Sequence, residues 1–247
     1  MPASIAPGVH RLGDRMVNFY AVEQDGGVVL IDAGLPSHLG QLDDLLRRIG
    51  RTLSDVRAVL LTHAHPDHLG LAARLRESAG SDVWIHRADA AAAASVRANA
   101  KPERSLLPYL LRRPAALGLP LHLARSGAFR VHVDSPRTFD TAGPLTEVPG
   151  QPLAVPVPGH TPGSTAYLWA ERGLLFTGDA LVTYDGLTAL GGPRLVSRGF
   201  THDSAAAMAS LDLLDPLPAA LLLPGHGEPF TGPPASATRR AREAGQP

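Results

Sequence analysis

The sequence predicts an α/β fold in which β-sheets pack together and helices lie outside them. Three observations carry this. Short apolar runs bounded by turn residues recur along the chain. Stretches with apolar residues at helical spacing separate them. The resulting order is strands, helix, strand, helix, then more strands, a helix and a strand, and the 25 Gly and 23 Pro suit a fold with many turns.

The elements follow in order. Residues 16–22 read as a strand with Val17, Phe19 and Ala21 on one face. Residues 28–31 are a second apolar run, Asp25-Gly26-Gly27 is the hairpin turn between them, and Asp32-Ala33-Gly34 ends the second strand. Leu39, Leu42, Leu45, Leu46 and Ile49 mark a helix over 38–49 that stops at Gly50. Residues 56–61 are a buried-strand candidate followed by a His-rich turn. A helix is expected over 69–79 with Gly80 as its stop, then a short strand at 83–85. Two helices, about 88–100 and 105–117, are interrupted at Pro102 and Pro114. Their stripe of Leu106, Leu107, Leu110 and Leu111 reads either as core packing or as a lid over a pocket.

Strands resume at 129–133, 153–157, 165–169, 174–177 and 220–223. A helix over 204–214 precedes the last, capped by Thr201, Asp203 or Ser204. Beyond Pro229 the chain is small and polar, and Arg239-Arg240-Ala241-Arg242-Glu243 reads as a solvated helix or a frayed tail. Residues 1–232 are therefore expected to form one domain with a helical insert at about 87–118, and 233–247 a C-terminal helix or tail.

Composition sets several functions aside. The 23 basic and 23 acidic residues cancel, which gives no electrostatic case for nucleic acid or an anionic membrane as the main partner. The absence of Cys excludes disulfides, thiolate metal sites, Fe–S clusters and a Cys nucleophile. Residues 1–9 lack the pattern of a secretory signal, and no apolar run is long enough to span a bilayer. A soluble, cytoplasmic protein acting on a small molecule is expected, with its oligomeric state open.

The chemistry concentrates in four places. The densest is Thr62-His63-Ala64-His65-Pro66-Asp67-His68-Leu69-Gly70, directly after an apolar strand. In extended backbone His63 and His65 point the same way. Pro66 favours a helix start, so Asp67 and His68 fall in a first helical turn and face another direction. One short segment thus presents two pairs of ligands. His160, Asp179 and His226 each follow an apolar run, and each has Gly directly before it. If those strands share a direction, all these groups gather at one edge of the sheets. Five imidazoles and two carboxylates suit Zn²⁺, Fe or Mn²⁺, and they are too many for one catalytic ion that keeps an open position.

With His63-Ala-His65-Pro-Asp67-His68 followed by His160, Asp179 and His226, the chain resembles the metallo-β-lactamase-fold superfamily over about residues 8–230. Asp32 in Ile31-Asp32-Ala33-Gly34 matches a further acid of that family. The resemblance implies a four-layer αβ/βα sandwich of two mixed sheets with helices on both outer faces. It implies that His63, His65 and His160 hold one metal, that Asp67, His68 and His226 hold another, that Asp179 bridges them, and that Asp32 orients a ligand His. Two Zn²⁺ per chain are expected, with Fe or Mn as alternatives.

The expected chemistry is hydrolysis of an ester, thioester or lactone, of the glyoxalase II or lactonase type. Two metals about 3.5–4 Å apart share a hydroxide that attacks a carbonyl, and Asp67 holds or receives its proton. The stretch Ala180-Leu181-Val182-Thr183-Tyr184-Asp185 lacks the Cys-Gly-Arg type segment of glyoxalase II, which points away from a glutathione substrate. Tyr184 is a candidate donor to a substrate oxygen. His10, His38, His86, His122, His132 and His202 lack motif context and read as surface or packing residues. Two other classes stay open: a persulfide-dioxygenase-type oxidoreductase with one Fe at His63, His65, His160 and Asp179, and a non-catalytic metal-binding module.

Overall fold

The computed structural model describes residues 3–95, 98–113 and 117–247. A first sheet contains β1 (Ala3–Ala6), β2 (Val9–Gly13), β3 (Asn18–Gln24), β4 (Gly27–Ile31), β5 (Val56–Leu60), β6 (Asp82–His86) and β7 (Arg137–Phe139), paired in chain order. The strands from β1 to β4 pair antiparallel, and those from β4 to β7 parallel. Parallel neighbours need crossovers. These are α1 (Leu39–Arg48), α2 (Ala72–Ala79) and a long segment holding α3 (Arg87–Ala94), α4 (Leu107–Arg112) and α5 (Gly118–Arg125).

The second sheet is built from β8 (Gly143–Pro144), β9 (Leu153–Pro156), β10 (Thr165–Trp169) and β11 (Leu174–Gly178). A separate hairpin of β12 (Val182–Asp185) and β13 (Leu190–Arg194) follows, then α6 (Ser204–Leu214), β14 (Leu221–Pro224), β15 (Phe230–Thr231) and α7 (Pro234–Ala244). The spatial order is β15-β14-β11-β10-β9-β8, with β14 parallel to β11.

Side-chain alternation assigns each strand's two faces to different layers. Val29 and Ile31 of β4 join Tyr167, Trp169 and Phe176 in the core between the sheets. Val28 and Leu30 face away, against Leu42, Leu45 and Leu46 of α1 and Leu75 of α2. On the far side Ala166 and Leu168 of β10 pack under Leu211 and Leu214 of α6 and Ala237 and Ala241 of α7. The result is the four-layer sandwich of two mixed sheets with helices outside. Among the described residues no helix is long and apolar enough to cross a membrane.

Several local expectations change. Residues 129–133 are not a strand: Ala128–Arg130 is a single 3₁₀ turn, and Val133 N–H bonds to Ala93 O rather than to a ladder. Residues 66–70 form successive turns instead of a helix start, with His68 N–H on His65 O and Ala72 N–H on Leu69 O, and α2 begins only at Ala72. The helical insert runs past 118, because α5 extends to Arg125. Its expected helices over 88–100 and 105–117 include 96–97 and 114–116, which lie outside the described residues. The C-terminal residues form α7, which buries Ala237, Thr238 and Ala241 while Arg239 and Arg240 stay exposed. Of the three candidates, Asp203 caps α6 by accepting from Ala206 N–H at 2.9 Å.

Candidate metal centre

Strand direction explains why distant residues meet. β10 runs back between β9 and β11, so β9, β11 and β14 all point the same way. Their C-terminal ends lead into His160, Asp179 and His226. The end of β5 in the facing sheet leads into His63–His68. All seven groups therefore converge at one edge, where the two sheets meet.

The donor atoms fall into two close triples, His63, His65 and His160, and Asp67, His68 and His226, with Asp179 also grouped with His63 and His68. His65 Nδ1 and His160 Nε2 are 2.9 Å apart. Asp179 Oδ2 lies 3.0 Å from His226 Nε2, 3.5 Å from His160 Nε2 and 3.9 Å from His63 Nε2. Its Oδ1 is 3.6 Å from His68 Nε2. Asp67 Oδ2 is 3.6 Å from His226 Nε2 and 3.8 Å from His68 Nε2. Two donors each about 2.1 Å from one tetrahedral cation are about 3.4 Å apart, so the spacings of 3.5–3.9 Å suit ligation better than hydrogen bonding, while the 2.9 and 3.0 Å pairs lie within hydrogen-bond range.

A layer of fixed partners aims these atoms. Asp32 has a left-handed backbone, φ 59°, a conformation Asp tolerates better than most residues. Its Oδ2 accepts from His68 Nδ1 at 2.8 Å, which turns Nε2 of that ring toward Asp179. Its Oδ1 accepts from Thr62 N–H at 2.8 Å. The Thr62 hydroxyl donates to Asp32 and lies 3.0 Å from His63 Nδ1, so it accepts from that ring. His226 Nδ1 donates to Met16 O. Each such bond fixes a tautomer and leaves the opposite nitrogen as a free donor pair.

The loops are held as firmly. Asn18 Nδ2 donates to Pro224 O at 3.0 Å and to Gly227 O at 2.6 Å, and Tyr20 donates to Pro224 O at 2.7 Å. These bonds bracket His226. Tyr167 of the second sheet reaches back to Leu61 O at 2.8 Å, just ahead of the His63 turn. Asp89 on α3 is buried and accepts from Ala64 N–H, Thr161 Oγ1 and Gly163 N–H at 3.1, 2.7 and 2.7 Å. It ties the His63–His65 turn to the His160 loop. Gly225 is required for close approach, since a Cβ there would sit 2.3 Å from Asp179 Oδ1.

Burial, reinforced by neighbouring imidazoles, holds His63 and His160 well below the usual range and lowers His65. Burial also opposes charge on His68 and His226. The surrounding carboxylates outweigh it, Asp32 foremost for His68 and Asp179 for His226, pushing them up to about 10 and about 9. Asp179 is held well below the carboxylate range: burial opposes its charge, but His226 and His68 prevail. Among the described residues His63 Nε2, His68 Nε2 and Asp179 Oδ1 are buried with no hydrogen-bond partner. Buried polar atoms without partners are costly, and bound cations would satisfy them.

The cluster floors a cavity of about 250 Å³. Leu106 and Leu110 beside α4's outer leucines, with Leu123, Phe129 and Phe200, form much of its wall, and Tyr184 stands in the wall too. The six remaining histidines take no part in the donor cluster. His38 is buried, stacked on Phe19, and 3.2 Å from Asp14 Oδ2, which also lies 2.8 Å from His122. Thr62, Asn18, Tyr20 and Asp89 carried no sequence signal of their role, because each acts through a partner remote in the chain or through its neighbour's ring.

Comparison with known proteins agrees with this geometry. The chain is 31% identical over 231 residues to the uncharacterized protein YobT of Bacillus subtilis, covering 91% of this chain and 88% of that one. It is 29% identical to the probable metallo-hydrolase YflN of the same organism, covering 92% and 86%. The crystal structure of the metallo-beta-lactamase family protein TTHA1429 from Thermus thermophilus superposes with a TM-score of 0.67 at 26% identity, over 98% of this chain and 79% of that one. The profile of the metallo-beta-lactamase superfamily matches residues 12–226, a span that takes in most strands of both sheets and all seven converging side chains. On these grounds the chain belongs to the metallo-beta-lactamase superfamily.

Proposed function

We propose that this metallo-hydrolase cleaves an ester, thioester or lactone with two divalent cations, zinc first among the candidates. His63, His65 and His160 would hold one ion, Asp67, His68 and His226 the other, and Asp179 both. The observation that supports the reading is two donor triples with Asp179 within 4 Å of a donor of each, beneath one cavity. Bound cations supply Lewis acidity and bring the pKa of water toward 7.

The chain's own groups do the rest. Asp67 faces the cavity and takes the proton of the attacking water. Water adds to the carbonyl carbon, and collapse of the adduct breaks the bond to the leaving oxygen or sulfur, which regains a proton. Tyr184 donates a hydrogen bond to a substrate oxygen. The leucines and phenylalanines of the wall exclude bulk water, which strengthens every polar contact inside. Metal analysis per chain, combined with a panel of lactones, thioesters and phosphodiesters, tests the reading. Two cations and turnover of a carbonyl substrate are expected; one Fe per chain with oxygen uptake would overturn it.

A further inference from the structure

The neutral total of the chain averages over an uneven surface. From Arg104 to Val133 there is no Asp or Glu, while Arg104, Arg112, Arg113, Arg125 and Arg130 all lie in this stretch and are exposed. The same stretch presents Leu107, Leu111, Leu117, Leu121 and Phe129 to solvent, at 60%, 75%, 54%, 48% and 50% exposure. Elsewhere only Leu190 and Leu213 are comparably bare large apolar side chains among the described residues.

The arrangement has two faces. Leu106, Leu110 and Leu123 line the cavity. Leu107 and Leu111 are one turn apart on α4, and Leu117 and Leu121 are one turn apart at the start of α5, all turned outward. Exposed leucines flanked by Arg112 and Arg125, neither of which pairs with a carboxylate among the described residues, match an element that lies in a membrane interface. A second copy is the wrong occupant. Two-fold pairing would set Arg112 and Arg125 against their own copies, with no carboxylate in the stretch to offset them. An anionic bilayer satisfies the apolar side chains and the charges together.

We propose that the outer face of α4 and α5 docks on an anionic lipid bilayer. Leu107, Leu111, Leu117 and Leu121 enter the boundary between headgroups and acyl chains, and the arginines meet anionic headgroups. This does not depend on which bond the enzyme cleaves. It sets the cavity mouth, where Phe129 is half exposed, close to the lipid surface.

The test is co-sedimentation of the full-length protein with vesicles of phosphatidylcholine alone and with about 30 mol% phosphatidylglycerol. Binding to the anionic vesicles is expected, about tenfold weaker on the neutral ones and about tenfold weaker again in 0.5 M than in 0.05 M salt. Leu111→Ser/Leu121→Ser and, separately, Arg112→Glu/Arg125→Glu should each lower binding about tenfold. Both keep the wild-type circular dichroism, melting temperature and metal content, since none of these residues lines the cavity; a variant that fails this control is replaced by the single changes Leu111→Ser and Arg125→Glu. Three outcomes overturn the proposal. The wild type stays in the supernatant with anionic vesicles, it binds both vesicle types alike, or light scattering finds a dimer that the leucine variant dissolves.

Discussion

Asp32 shows how much one side chain organises. A single carboxylate in a left-handed backbone receives His68 Nδ1 and both donors of Thr62, and Thr62 in turn steadies His63. Asp32→Ala removes the orientation of two imidazoles without deleting a donor atom of the cluster. Metal affinity is expected to fall about 10–100-fold, read by competition with a chelating dye. An unchanged affinity would mean that packing alone aims the rings. His63→Ala, His65→Ala and His226→Ala should each lower bound metal and abolish most hydrolysis, whereas His86→Ala, whose ring caps α3 and meets Asp140 O, should do neither. Metal content by mass spectrometry and turnover of one substrate decide this. The histidines were legible in the sequence because clustered imidazoles have no other common use. Asp89 was not: it stands alone in an alanine-rich helix, and its three partners lie 25 or more residues away.

At the scale of elements, the two sheets are pinned by reciprocal tyrosines. Tyr20 of β3 crosses to Pro224 O, and Tyr167 of β10 crosses to Leu61 O. Burial raises both phenols far above the ordinary range, so they stay protonated and keep their proton for these carbonyls. Tyr167→Phe leaves a buried carbonyl without its partner and should cost about 1–3 kcal/mol, measured by denaturant unfolding. A neutral result would place that carbonyl in contact with water. Strands with dense Val and Leu were legible, since each face of β4, β5, β10 and β11 meets a core. β1 and β2 were not: their few apolar side chains alternate with exposed or half-buried ones at a sheet edge. The 129–133 misreading has a similar cause. An apolar alternation is not a strand unless a neighbour offers a ladder, and here Phe129 serves the cavity instead.

For the whole molecule, cation binding and folding are linked. The donors come from both sheets, so an unfolded chain offers no preformed site. Chelation should lower the melting temperature, and the lost stability reaches about 4 kcal/mol where free cation exceeds its dissociation constant a thousandfold. An identical melt with and without chelator would sink the linkage. Acid sensitivity has a second source. Asp14 is partly buried, which alone would raise its pKa, yet His38 and the N–H groups of Met16 and Val17 draw it below the usual carboxylate range. A carboxyl with a depressed folded pKa stabilises above its unfolded value near pH 4 and loses that contribution as pH falls. Asp14→Asn should therefore flatten the acid limb of a stability-versus-pH curve below about pH 4. An unaltered limb would assign acid unfolding to other groups.

The α3–α5 segment leaves the first sheet at β6 and returns at β7, its immediate parallel neighbour. Its exit at His86 and its entry at Arg137, which pairs with Trp84, are thus one strand across and two residues along, about 8 Å apart. A transplant need bridge only that gap and supply an Asp89 equivalent to stay compatible with the rest of the chain. The roof is in this sense an exchangeable cassette: the cavity wall and the outward leucine face can diverge by swapping one contiguous stretch of coding sequence, while the strand ends that carry the imidazoles stay constant beneath it.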